Sequence, residues 1–352
     1  MRSRIPTGIL GATGLVGQRF IQLLDNHPWF EVVALTGSYR SVGKPYGEAC
    51  RWVLDTPMPD WARNQIIQPS DPGTVTPARL VLSALPSQQA RDLEPLFAQA
   101  NLTVCSNASA FRQEADVPLL LPEVNPEHTA LIGYQQKLRG WDGCIVTNPN
   151  CTSTGLTVAL KALHDSIGVV RVFAVSLQAL SGAGYPGVPS ADIIDNVIPF
   201  IEGEEEKVEL EPRKMLGKLH GSEVSPAPIT ISAHTNRVPV IDGHVVCASV
   251  ELSHLVTKQE AAEIFREYQT PEISRCLPSA LPLPIIVMDE SDRPQPRRDR
   301  MLGRGMATVV GRLRPDPLFH LKFTVLSHNT IRGAAGGSIY NAELLVQQEL
   351  LQ

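Results

Sequence analysis

Three glycines at fixed spacing, Gly11-Ala-Thr-Gly14-Leu-Val-Gly17, stand between a short apolar run and an amphipathic segment, and they constrain the fold more than any other feature of the chain. The run ending in "GIL" reads as a strand. Val16, Phe20, Leu23 and Leu24 fall on one face of a helix, and "FEVVALTGS" follows as a second strand. Such a βαβ unit commits this part of the chain to a parallel sheet with helical crossovers. Glycines at this turn let the backbone approach a pyrophosphate, which then rests on the helix N-terminus. Gly11, Thr13, Gly14, Leu15 and Val16 are therefore candidate nucleotide contacts, with a merely tight strand–helix turn as the alternative.

An NAD-binding unit usually carries an acidic residue at the end of its second strand, for the ribose 2′-hydroxyl. This chain has "TGSYRSVGK" there. Ser38, Arg40, Ser41 and Lys44 suit a 2′-phosphate, so NADP(H) is the expected cofactor, against the alternative of a solvated basic turn. The parallel pattern continues through "ARLVLSALPS", "QQARDLEPLFAQA" and "LTVCSNAS", read as strand, helix and strand. Ser83 and Leu85, at the end of the first of these, join the candidate cofactor contacts, as does Gly182 further on.

From about Val169 the pattern changes. "GVVRVFAVSLQALSG", "APITISAHTNRVPVIDGHVVCASVEL" and "LFHLKFTVLSHN" are longer, β-branched and partly alternating, as in an antiparallel sheet. At 352 residues the chain exceeds the size of one ordinary core. We expect an α/β protein: a dinucleotide-binding domain of Rossmann type over 1–150, and an α+β catalytic and dimerisation domain with a mainly antiparallel sheet over 151–329. The segment 330–352 reads as a terminal helix, with Tyr340, Leu344 and Leu351 close to one face, packing back on the first domain. "DESDRPQPRRDR" reads as a charged, mobile loop.

A net charge of -5 gives no reason to expect nucleic acid or an anionic membrane as a partner. No apolar run approaches the roughly 20 residues of a membrane span, and the apolar segment at the amino terminus is too short for a signal peptide. Six scattered cysteines without a Cys-x-x-Cys pair, and histidines not spaced for zinc, suggest reduced thiols, no metal and a cytoplasmic location.

Cys151 stands apart from the other five. In "TNPNCTSTGL" Pro149 pushes Asn148 out of helical space and Asn150 is a preferred helix N-cap. Leu156, Leu160 and Leu163 then recur at helical spacing. Cys151 thus falls in a first helical turn, whose dipole favours a thiolate and lowers the thiol pKa. A small buried apolar residue is the alternative. Gln178, before Ser-Gly-Ala-Gly, and Arg237, seven residues ahead of His244, are ordinary singly. Arg237 is able to clamp a carboxylate bidentately and His244 to serve Cys151 as acid and base.

Taken in order, Gly11 to Gly17, Ser106-Asn-Ala-Ser-Ala-Phe-Arg112, Asn148-Pro-Asn-Cys151, Gln178-Ala-Leu-Ser-Gly182, Glu211-Pro-Arg-Lys214, Asn236-Arg237-Val-Pro-Val-Ile-Asp-Gly-His244 and Asn329-Thr-Ile-Arg-Gly-Ala-Ala-Gly336 resemble the aspartate-β-semialdehyde dehydrogenases, in their archaeal and fungal branch. The resemblance spans nearly the whole chain. It implies a nucleophile at Cys151, an acid/base at His244, and at Gln178 a residue that orients the intermediate. It further implies Arg237 on the substrate carboxylate, Glu211 on the amino group, Arg112 and Lys214 on the phosphate, and Asn150 in the substrate site. Asn329 would lie near the nicotinamide. It implies NADPH-dependent reduction of L-aspartyl-4-phosphate through a Cys151 thioester, by a homodimer or homotetramer. A malonyl-CoA reductase of the same family, and a catalytically silent NADP-binding sensor, are the alternatives. "SAHTNRVPV" and "SHNTIRGAAG" depart from the family's common wording without removing a proposed catalytic group.

Overall fold

The computed structural model describes residues 3–351, so the outermost positions of the expected ranges, 1, 2 and 352, lie outside the described residues. The first sheet is built from β1 (Ile5–Leu10), β2 (Phe30–Leu35), β3 (Leu80–Ser83), β4 (Thr103–Ser106) and β5 (Cys144–Thr147), in the order β2-β1-β3-β4-β5. Every neighbouring pair is parallel. Helix α1 (Leu15–Leu23) leaves β1 through the glycine turn, α2 (Ser87–Gln99) joins β3 to β4, and α3 (Leu131–Arg139) precedes β5. The third glycine is needed for this close approach, since a Cβ on Gly17 would stand 2.6 Å from the Ala12 carbonyl oxygen.

Helix α4 (Cys151–Ser166) leads into a six-stranded sheet made from β6 (Val169–Gln178), β7 (Thr230–Arg237), β8 (His244–Leu252), β9 (Ile285–Val287), β10 (Thr308–Pro315) and β11 (Leu321–Ser327). Their order is β9-β10-β11-β8-β6-β7. The three central pairings are antiparallel and the two outer ones parallel, so the sheet is mainly antiparallel as expected, with a parallel pairing at each edge. β9 and β10 escaped the sequence reading. β9 has only three residues, and the Thr308-Val-Val run of β10 lies behind glycines and basic residues that read as loop.

Leu156, Leu160 and Leu163 of α4 and Phe265 of α6 (Lys258–Glu267) cover one face of this sheet, against Val172, Val246, Phe323 and Val325. Helix α5 (Glu204–Met215) runs beside α4 and contributes Val208 and Met215 to the same core. The last helix, α7 (Gly336–Gln347), joins a different core: Ile339, Tyr340, Leu344 and Leu345 pack with Ile9, Phe20, Leu35 and Leu82 of the first sheet and α1. The segment expected to be a mobile loop is anchored instead. Asp299 is fully buried, bonded to the Gln295 N–H at 2.6 Å and ion-paired with Arg293. Burial of a carboxylate is tolerated because its partners replace water.

Candidate active site

The Asn-Pro-Asn turn behaves as N-cap chemistry dictates. Asn150 Oδ1 accepts the N–H groups of Thr152 and Ser153 at 2.9 and 3.2 Å, and α4 begins at Cys151. The other end of the same amide donates to both carboxylate oxygens of Glu204, at 3.0 and 2.8 Å.

His244 opens β8, and its Nε2 lies 3.2 Å from Cys151 Sγ. Its Nδ1 accepts the Ala179 N–H at 3.0 Å. A ring nitrogen that accepts carries no proton, so the neutral imidazole holds its hydrogen on Nε2, facing the sulfur. Burial, then the positive charge of Arg237, pushes His244 down to about 3, and the ring is neutral near pH 7.

Cys151 departs from the expected low pKa. Burial, followed by the neighbouring Glu204 carboxylate, pushes the thiol up to about 12, against the opposing pull of Arg112 and Arg237. The helix dipole acts over one turn and is worth at most about 2 kcal/mol, less than desolvation of a buried anion costs. The resting group is a thiol.

A cleft of about 580 Å³ opens over this sulfur. Thr13, Gly14, Leu15, Val16, Leu85 and Arg112 line it from the first sheet, and Asn150, Cys151, Gln178, Gly182, Arg237 and Asn329 from the second. Arg237 Nη1 donates to the Ala179 carbonyl at 2.7 Å. Gln178 Nε2 reaches Ser176 Oγ at 3.3 Å and Glu204 Oε2 at 3.4 Å. Asn329 accepts the Gly243 N–H at 2.8 Å and donates to Ser181 Oγ at 2.7 Å. The bare α-carbon of Gly182 is what leaves room above the pair, because a Cβ there would stand 2.8 Å from Arg237 Nη1 and 3.1 Å from His244 Nε2.

Other expected residues lie outside the cleft lining. Gly11 shapes the turn with φ +73°, where a side chain would be strained and its Cβ only 2.9 Å from the Ala84 oxygen. Ser83 is buried, its carbonyl accepting both the backbone and side-chain N–H of Asn107 at 3.1 Å. Ser38, Arg40 and Ser41 follow β2, whose end meets the glycine turn through the Ala12 N–H on the Thr36 carbonyl at 2.9 Å. Ser41 is buried with its hydroxyl on the Ser38 carbonyl at 3.0 Å, while Ser38 and Arg40 are exposed.

The main correction concerns Glu211 and Lys214. Both lie on α5, but they face protein rather than the cleft. Glu211 is 1% exposed; its Oε1 accepts Arg112 Nη1 at 3.0 Å and its Oε2 the Asn150 N–H at 2.6 Å. Lys214 Nζ donates to the carbonyls of Arg112, Glu114 and Val117 at 2.7, 2.7 and 3.0 Å, which uses all three of its protons. Two turns earlier, Glu204 and Lys207 have the same i, i+3 spacing and do line the cleft, 2.8 Å apart. Runs of like charge are usually solvated faces, which hides this pair in the sequence. The signal that identifies it is the repeat of Glu-x-x-Lys seven residues ahead of Glu211-x-x-Lys214.

Arg112 ties these groups together: beyond Glu211, its Nε donates to the Asn148 carbonyl at 2.9 Å and its Nη2 to Asn107 at 2.6 Å. Gly14 is the N-cap of α1 and no side chain caps it, which leaves the first-turn N–H groups to the cleft, a fit for a pyrophosphate. Among the described residues no group of three His, Cys, Asp or Glu is placed to hold a metal, and no helix is long and apolar enough to cross a membrane.

Two family models match the chain, "Semialdehyde dehydrogenase, NAD binding domain" over residues 6–132 and "Semialdehyde dehydrogenase, dimerisation domain" over 160–332. The aspartate-semialdehyde dehydrogenase of Archaeoglobus fulgidus is 53% identical over 99% of this chain and all of its own length. That of Schizosaccharomyces pombe is 46% identical over 98% of both chains. Among solved structures, the aspartate semialdehyde dehydrogenase of Candida albicans with NADP superposes with a TM-score of 0.91 at 40% identity, over 99% of this chain and 100% of that one.

Proposed function

Because this chain belongs to the aspartate-semialdehyde dehydrogenase family, we propose that it catalyses the NADPH-dependent reductive dephosphorylation of L-aspartyl-4-phosphate to L-aspartate 4-semialdehyde, in the biosynthesis of lysine, threonine, methionine and isoleucine. The observation that carries the reading is the 3.2 Å contact of Cys151 Sγ with buried His244 Nε2, at the floor of a cleft that Cys151 shares with the open end of α1.

Arg237 holds the substrate α-carboxylate and Glu204 its ammonium group, while Arg112 and Lys207 face the phosphate. Lys207 and Glu204 take the roles first expected of Lys214 and Glu211. A cation on Glu204 cancels the charge that raises the Cys151 pKa, so binding of an amino-bearing substrate itself favours the thiolate. Cys151 attacks the acyl carbon, its thiol proton leaves with the phosphate, a thioester forms and hydrogen phosphate departs toward Arg112 and Lys207. A bound nicotinamide supplies a hydride to this carbon. The oxyanion that results is stabilised by the Nε2–H of His244, and its collapse releases the aldehyde and restores Cys151; Gln178 orients the acyl group. Thr13, Gly14, Leu15 and Val16 hold the dinucleotide with Leu85, Gly182 and Asn329. Ser38, Arg40 and Ser41 take the 2′-phosphate.

The same reading divides the chain into a cofactor part up to residue 150, completed by the segment from 330 on, and a catalytic part over 151–329; the shared core of α7 with β1 and α1 supports it. It also makes the enzyme a homodimer or homotetramer. In support, the face of the six-stranded sheet away from α4 leaves Phe173 and Leu177 of β6 38% and 36% exposed, beside exposed Cys247 on β8. A cytoplasmic location is supported by the six unpaired cysteines.

The test is reduction of NADP by the purified protein, with L-aspartate-β-semialdehyde plus phosphate compared with malonate semialdehyde plus CoA, and Cys151→Ser as control. Turnover of the amino-bearing aldehyde alone, abolished by the substitution, is expected. Turnover with malonate semialdehyde and CoA alone would assign the thioester chemistry instead, and NADP binding without turnover would assign a sensor.

A further inference from the structure

The turn that presents His244 is held by the helix of the glycine loop. Arg19, in α1, and Asp242, two residues before His244, are each 7% exposed, and their charges meet with Nη2 at 3.3 Å from Oδ2. Arg19 Nε also donates to Thr330 Oγ1 at 3.1 Å, and its Nη1 to Gln22 Oε1 at 2.9 Å. The backbone carbonyl of Asp242 accepts Arg300 Nη1 at 3.2 Å. The next residue, Gly243, has φ +101° and donates to Asn329. One guanidinium thus grips both the turn that enters β8 and the segment after β11 that carries Asn329 and Thr330. Neither Arg19 nor Asp242 lines the cleft.

We propose that Arg19 and Asp242 are positioning residues that couple the dinucleotide-binding helix to the geometry of the His244–Cys151 pair. This rests on the reading of that pair as the reacting groups. A buried ion pair contributes little net stability over an apolar replacement, so its value here is the geometry it imposes. Asp242 acts through Gly243 and His244, and Arg19 reports the state of α1. Misplacing a reacting group by about 1 Å costs on the order of 100-fold in rate.

The test compares Arg19→Met, Arg19→Lys, Asp242→Asn and the Met/Asn double variant by kcat per alkylatable Cys151, KM for the semialdehyde, and the change that NADPH causes in the alkylation rate of Cys151. Expected are a roughly 10- to 100-fold fall in kcat for Arg19→Met and Asp242→Asn and a KM within about threefold of the parent. A double variant no worse than either single, partial rescue by Arg19→Lys, and a diminished NADPH effect on alkylation complete the expected pattern. If the Met variant does not fold, Arg19→Lys and Asp242→Asn carry the comparison. Unchanged kcat per alkylatable site together with an unchanged NADPH effect would overturn the proposal, as would losses confined to Tm and to the titratable fraction. The alkylation readout needs no turnover, so it separates failure of the coupling from failure of the assigned reaction.

Discussion

Asn150 does two jobs with one amide, and three substitutions separate them. Asn150→Ala removes the cap on two N–H groups, costing about 0.5–2 kcal/mol, and the donor to the Glu204 carboxylate, costing about 1.5–3 kcal/mol. Together that is about 2–5 kcal/mol. Asn150→Ser keeps an oxygen that caps and loses only the second part. Asn150→Asp keeps the cap but sets a second carboxylate where the amide met Glu204, and two such charges in contact cannot both ionise. One of them holds a proton in the folded state at a pH where the unfolded chain has released it. The folded pKa is raised, so this variant keeps its stability at low pH and loses it as pH rises above about 4, by about 1.4 kcal/mol per unit until the proton leaves. Thermal unfolding measured from pH 4 to pH 8 reads all three. The expected order at pH 7 is parent above Ser above Ala, with Asp falling steadily as pH rises. Equal stability of Ser and Ala variants would refute the capping half of the reasoning, and an Asp variant that tracks the parent across the range would refute the other.

In the free protein, alkylation of Cys151 by iodoacetamide accelerates throughout about pH 8 to 11, because only the thiolate reacts and the thiol is pushed up to about 12; a plateau below pH 9 contradicts this. Glu204→Gln moves that profile to lower pH while weakening the semialdehyde about tenfold or more, and a profile that stays put refutes the role given to its charge. Lys214→Met strands three buried carbonyls and lowers Tm, whereas Lys207→Ala raises the KM for phosphate with Tm nearly unchanged; the reverse pattern restores the first assignment. Gly182→Ala abolishes turnover, since its Cβ presses on Arg237 and His244; a variant that turns over normally shows that the neighbours yield.

The sequence carried the glycine turn, the parallel sheet and the helix that starts at Cys151, because each is fixed by local chemistry: spacing, capping and an apolar stripe. What it could not carry is which turn of a helix faces a cleft. Glu204 and Glu211 sit two turns apart on the same side of α5, and only the packing of that helix against α4 and the 112–117 segment decides which carboxylate is covered by Arg112 and the Asn150 backbone N–H. The Cys151 pKa was misjudged for a related reason. A helix N-terminus is visible in a sequence, while burial and a carboxylate 53 residues away are not. The β9 and β10 strands were hidden because their pairing is non-local and their residues are few or flanked by glycine and arginine.

The central claim is that Cys151 carries the acyl group. The direct measurement is to mix the protein with L-aspartate-β-semialdehyde and NADP without phosphate, and follow NADPH and intact mass together. One equivalent of NADPH per site should appear with one aspartyl group bound at Cys151, released when phosphate is added. Turnover on adding phosphate, with neither burst nor adduct before it, would contradict the thioester and the assignment of Cys151 with it.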